Sequence, residues 1–308
     1  MSKPSNDFIL ALEDALQQAD EKVGKRSDYY PKGYRSHWEE NVFNSCMEPE
    51  FLKMFLNGNG SELPCKAAAV HSSSMLAYNF FHWVSPERKL DFGDVKYDHV
   101  AFELKLPCLK GKAKANMDVA LYSSEKHKLL LLESKFTEYC HKGKFEISKS
   151  YENPKCYFSD GEFWAELVKN LVKTYSDHSD HYYDGIKQLI CHAIAVSNVV
   201  KGDTTVKMPG VPNMNLEGGV EFAEILYEPN EKYEEEHDAF IDYRTLVGEF
   251  LEEMKTKEAP KVPLLNIGPE QKFPGLITYR DIWSKMTKTG IGNALWDYLE
   301  KRYVNLMQ

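Results

Sequence analysis

Nowhere does the sequence hold an apolar run approaching the roughly 18 residues that a membrane-spanning helix needs. No CxxC pair occurs among its scattered cysteines (Cys46, Cys65, Cys108, Cys140, Cys156 and Cys191), which argues for reduced thiols rather than a disulfide framework. Cys140, His141 and Cys156 lack the spacing of a zinc knuckle. A glycine-rich phosphate loop, a nucleophile elbow and an HExxH motif are all missing, so P-loop, serine-hydrolase and zincin chemistry lose their usual support. The opening MSKPSNDFILALEDALQQADEKVGKR sets acids among its apolar positions and has no signal-peptide core. The expectation is a soluble, cytoplasmic protein with no membrane partner.

Charge is plentiful but uneven. A net charge of −9 over 308 residues argues against a nucleic-acid partner only until its distribution is considered. From Lys105 to Lys155 eleven lysines face six acids, whereas from Glu217 to Glu258 fourteen acids face four bases. The acidity therefore lies mostly away from the central segment. Hydrophobic residues at 43% and charged residues at 28% are ordinary globular proportions, so a sizeable core can be buried. The length admits two average domains or one decorated core.

Helical periodicity over residues 1–24 (Phe8, Ile9, Leu12, Ala15, Leu16) predicts a leading amphipathic helix. Residues 72–84 predict another, with Ser72 as N-cap, Leu76, Phe80 and Trp83 on one stripe, and Pro86 beyond its end. HVAFELKLP (99–107) alternates, with Val100, Phe102, Leu104 and Leu106 expected on one face and Glu103 and Lys105 on the other. NMDVALYSS (116–124) and KLLLLESKF (128–136) predict two further strands joined by a short turn. Helices follow around 161–172 and over 182–200, then a loop (201–219) and a strand (220–229). The tail alternates acidic helix with proline-rich connector and ends in a helix containing Leu295 and Leu299.

The 116–136 hairpin carries the chemistry. With its turn centred between Glu125 and Lys126, Asp118 falls directly opposite Glu133, at the roughly 4.5–5.5 Å Cβ spacing of facing strand residues. Lys135, two residues on, shares the face of Glu133. Facing carboxylates repel, and a hard divalent cation relieves them while bridging to phosphate. An isolated acid-x-Lys pair is more often an ordinary surface salt bridge. Here the acid ends a run of four leucines, Leu129–Leu132, where charge is seldom ornamental.

The order helix, three strands, helix, strand, with MDVAL followed by LLLLESK, resembles the PD-(D/E)xK, restriction-endonuclease-like nuclease superfamily over residues 62–230. The motif's D matches Asp118 and its E-x-K matches Glu133-Ser134-Lys135. Met117 stands where the proline of the motif's name would be, and 72–84 lacks the glutamate that many members place there, offering Asn79 and His82 instead. The resemblance implies an α/β fold with a mixed central sheet in αβββαβ order, flanked by helices. Helical decorations at 1–61 and, packed on the core, 231–308 would flank it. It further implies Mg²⁺, replaceable by Mn²⁺, on Asp118 and Glu133, with Lys135 orienting or deprotonating water or neutralising charge on phosphorus. Glu103 is either a third metal ligand or an exposed strand residue, and Gln188 either a polar support from the second helix or a solvent-facing side chain. Lys105, Lys110, Lys112 and Lys114 lead into the motif strand without an intervening acid and are candidates for phosphate contact, or a solvated loop. His178 and His181 lack a third ligand and are expected in a polar loop. The expected activity is DNA hydrolysis of restriction or defence type, on double-stranded DNA, with a homodimer possible. The rival is a catalytically inactive module of the same fold that binds DNA or a partner protein.

Overall fold

The computed structural model describes residues 4–23, 31–58, 63–111, 114–143, 145–175, 185–256, 262–269 and 271–307. Its elements run α1 (Asn6–Ala19), α2 (Pro49–Leu56), α3 (Ser73–Phe81), β1 (Leu90–Phe92), β2 (Val95–Tyr97), β3 (His99–Pro107), β4 (Lys114–Ser123) and β5 (Lys128–Lys135). They continue with α4 (Gly161–Tyr175), α5 (Gly185–Val200), β6 (Gly219–Leu226), α6 (Glu234–Thr256), β7 (Leu276–Thr278), α7 (Tyr279–Trp283), α8 (Lys288–Ile291) and α9 (Asn293–Arg302).

The four consecutive leucines explain the centre of the fold. A strand buried on both faces reads as a continuous apolar run, and β5 is such a strand: Leu130 and Leu132 enter one core, Leu129 and Leu131 the other. It pairs antiparallel with β4 and parallel with β6, within a five-stranded mixed sheet ordered β3-β4-β5-β6-β7. Helices α1, α2, α3 and α9 contribute to the first core, and α4, α5 and α6 to the second. This is an α/β restriction-endonuclease-like arrangement, with the short β1–β2 hairpin inserted before β3 and β7 added at the far edge. Among the described residues no helix is long and apolar enough to cross a membrane.

Two local expectations are corrected. Helix α3 ends at Phe81 and is buried at every position from Ser74 to Phe81 rather than along one stripe. The flanking segments cover its outer side: Asn79 accepts from the Phe43 amide and donates to the Asn41 carbonyl and the Tyr303 hydroxyl. Strand β3 does not keep its apolar residues on one face either. Val100 and Phe102 join the first core, whereas Leu104 and Leu106 join the second. The change of face falls at Glu103, whose φ is +53°, a left-handed conformation uncommon for a non-glycine residue.

Candidate active site

That irregularity builds the site. The β3–β4 ladder pairs Phe102 with Val119 and Leu104 with Met117 but is interrupted at Glu103 and Asp118 between them. The β4–β5 ladder runs from Ser123–Lys128 to Val119–Leu132, the register expected from the sequence. It stops one step short of Asp118, whose Oδ2 instead accepts from the Ser134 amide at 2.7 Å. Asp118 is thus released from both neighbouring strands. It is half-buried and opens into a cleft of about 480 Å³ that Glu133, Lys135 and Gln188 also line.

Lys135 is 1% exposed and Glu133 2%, so neither is a surface ion pair. The Lys135 ammonium donates to Glu133 Oε1 at 2.6 Å and to Gln188 Oε1 at 2.7 Å. Burial by itself would lower Lys135, but Glu133, then Glu138, Glu224 and Asp118, more than reverse this and hold it protonated. Glu133 is likewise penalised by burial, yet Lys135 and then His192 hold its carboxyl below the usual range. Asp118 goes the other way. Burial, then the charges of Glu133 and Glu103, drive it well above the ordinary carboxylate value.

Unequal partnering marks these carboxyls. Glu133 Oε2 is buried and has no hydrogen-bond partner among the described residues; the His192 ring nitrogen lies 3.5 Å from it. A buried oxygen without a donor is costly. Hard oxygen donors in this condition, beside an aspartate raised by its neighbours, fit a divalent cation. Among the described residues no three His, Cys, Asp or Glu side chains form a ready-made cage.

The other expected residues are dispersed. Glu103 shares with Asp118 the gap in the β3–β4 ladder, but its carboxylate accepts from Asn116 Nδ2 at 2.7 Å and lines a different cavity. Lys105 is half-buried on that second cavity. Lys110 and Lys114 are exposed and do not line the cleft, and Lys112, like His178 and His181, lies outside the described residues. His82 stacks on Tyr78 at 4.7 Å and stays outside the cleft. Besides Lys135, the basic side chains that line the cleft are Lys66, Lys187, His71 and His141. Burial lowers His71 to about 4, so it is neutral. Glu138 also reaches the cleft, and its Oε2 accepts from the amides of Phe136 and Thr137, a turn-capping role.

A family model described as restriction endonuclease associating with ARP matches residues 11–304. The chain belongs to this family, REase-ARP. The match takes in nearly the whole described fold, both helical flanks included, so the nuclease-type description applies to the chain and not to its central strands alone. No curated protein and no solved structure matches the chain.

Sequence reasoning passed over two buried groups beside the REase-ARP cleft. Glu224 pairs with Glu133 in the parallel β5–β6 register, and His192 projects from α5 to Glu133 and hydrogen-bonds the Asn116 backbone. Both had a readable signal. Glu224 shares strand parity with Val220, Phe222 and Leu226, and His192 sits within the apolar run ICHAIAV. A charge at an inward position is the informative exception to hydrophobic burial.

Proposed function

We propose that this chain is a metal-dependent nuclease of the PD-(D/E)xK type that hydrolyses phosphodiester bonds, with double-stranded DNA as substrate and the cytoplasm as its place of action. The observation that supports it best is the meeting of Asp118, Glu133 and a fully buried Lys135 at a break in the sheet. Asp118 and Glu133 would hold Mg²⁺ or Mn²⁺, which when bound supplies a more acidic water and neutralises charge on phosphate. The Ser134 amide fixes Asp118. Gln188 steadies the Lys135 ammonium, which places a permanent positive charge where negative charge builds on phosphorus. Lys187, Lys66 and a neutral His71 line the same cleft and would take neighbouring phosphates of the backbone.

The family description itself names an association, which favours a second reading: a nuclease-fold module that acts with, or through, a protein partner. Incubation of supercoiled plasmid with the full chain and Mg²⁺ or Mn²⁺ separates the two. Nicking or linearisation should appear, vanish with EDTA, and fall by about 10³-fold or more in Asp118→Ala. If neither plasmid nor oligonucleotide is cut with either metal, the catalytic reading fails and the binding module stands.

A further inference from the structure

Glu224 is completely buried, at 0% exposure, and does not line the cleft. The parallel register sets it beside Glu133, on the face that β6 turns to the second core with Val220, Phe222 and Leu226. From α6, Tyr243 donates its hydroxyl to Glu224 Oε2 at 2.9 Å. The other oxygen, Oε1, is buried without a hydrogen-bond partner, and so are Glu133 Oε2 and His192 Nδ1. Among the described residues, then, the oxygen of Glu133 that Lys135 does not hold is unsatisfied, and so are one nitrogen 3.5 Å from it on His192 and one oxygen of its register partner Glu224. Burial, offset by Lys135 and reinforced by Glu133, pushes the Glu224 carboxyl up to about 7.

Stability does not account for such a group. Well-packed apolar residues commonly replace buried charged groups at no cost or with a gain. What Glu224 supplies is direction: it faces Lys135 and Glu133 from the interior while Asp118 faces them from the cleft. Partners behind metal-ligating side chains fix the orientation of those ligands. We propose that Glu224, anchored by Tyr243, is a positioning residue of the cleft that acts through Glu133 and Lys135. The proposal rests on the metal-nuclease reading and adds to it a link from helix α6 to the site.

Three variants of the full chain test it: Glu224→Gln, Glu224→Leu, and Glu224→Leu with Tyr243→Phe, the last removing both polar partners at once. The readouts are Mn²⁺ binding by calorimetry without nucleic acid, plasmid cleavage, and thermal melting. Glu224→Gln, which keeps hydrogen-bonding capacity, should match the wild type in binding and rate. The double variant should melt no lower than the wild type and the single leucine variant somewhat lower, because the Tyr243 hydroxyl loses its bond to Glu224. Both should nonetheless bind Mn²⁺ about 10–100-fold more weakly and lose kcat by a similar factor at unchanged KM for DNA. Leucine variants that fold and keep wild-type Mn²⁺ binding and rate would overturn the positioning role alone. So would a glutamine variant as impaired as the leucine one, or the unfolding of both leucine variants, which would make Glu224 a structural group. A wild-type chain that neither binds Mn²⁺ nor cuts DNA would overturn the nuclease reading and this one with it.

Discussion

Two aspartates, Asp98 just before β3 and Asp118 in β4, live under opposite conditions. Asp98 lies beside the larger cavity, of about 640 Å³, and is fully served with donors. It accepts from the Ser124 amide at 3.0 Å, from the Ser124 hydroxyl, and from His99 Nδ1 at 2.8 Å. Burial pushes its carboxyl up, but the Ser124 and His99 contacts outweigh this and hold it below the ordinary value. Asp118 has one amide donor and two carboxylates pressing on it. On the larger cavity Asp98 and Glu103 are served by donors, whereas in the smaller cleft Asp118 is pressed by other carboxylates and one oxygen of Glu133 has no partner among the described residues. Cavity size says little about chemistry here; unmet hydrogen bonding and raised carboxyls say more.

The sharpest way to break this contrast is the same substitution at both places. Asp118→Asn should abolish cleavage, by about 10³-fold, while raising stability by about 1 kcal/mol, because a repelled carboxylate is removed from a site held for function. Asp98→Asn should leave cleavage within about twofold and cost about 1.5–3 kcal/mol, the worth of hydrogen bonds to a charged group. Plasmid cleavage and urea unfolding of the two variants give both answers. Loss of stability at Asp118, or of activity at Asp98, would erase the distinction.

Much of this was legible beforehand, for identifiable reasons. The hairpin register followed from a four-residue turn and alternating burial, which leave few alternatives once one face is apolar. Asp118, Glu133 and Lys135 could therefore be placed together, and Gln188 came with them on α5. The face change at Glu103 was not legible: alternation in HVAFELKLP is unbroken, and the left-handed turn of one backbone angle is invisible in composition. That single angle carries Leu104 and Leu106 to the second core. The lysine-rich approach to β4 is adjacent to the motif in sequence but not to the cleft in space. That approach joins β4 at the end farther from the β4–β5 turn, and neither Lys110 nor Lys114 lines the cleft.

Acid sets the two kinds of buried carboxyl against each other. Asp98, held below its unfolded value, stabilises the fold above about pH 3.8 and ceases to do so as pH falls further. Glu224, pushed up to about 7 from 4.5, does the reverse. The folded state binds its proton more readily than the unfolded chain does, so the stability attached to it is present below about 4.5 and is lost as pH rises through 7. A shift of that size corresponds to about 3 kcal/mol. In urea unfolding, Glu224→Gln should therefore gain on the wild type by about 3 kcal/mol between pH 4 and pH 8. A gap that stays flat, or narrows with rising pH, would mean that Glu224 is an ordinary ionised carboxylate.

The smallest effect concerns which cations meet the substrate. Each phosphate neutralised contributes about −0.9 to the slope of log affinity against log salt on duplex DNA. Lys187 lines the cleft beside Gln188, so Lys187→Ala should bring the measured slope about 0.9 closer to zero and weaken duplex binding uniformly across sequences. Lys110, exposed and outside the cleft, should change neither. Fluorescence anisotropy with a short duplex in EDTA isolates binding from cleavage, so the comparison holds even if no strand is ever cut. Should Lys110→Ala flatten the slope while Lys187→Ala does not, the DNA track would follow the lysine loop before β4 and pass over the rim of the cleft, leaving Asp118 reachable only by a strand drawn out of the duplex.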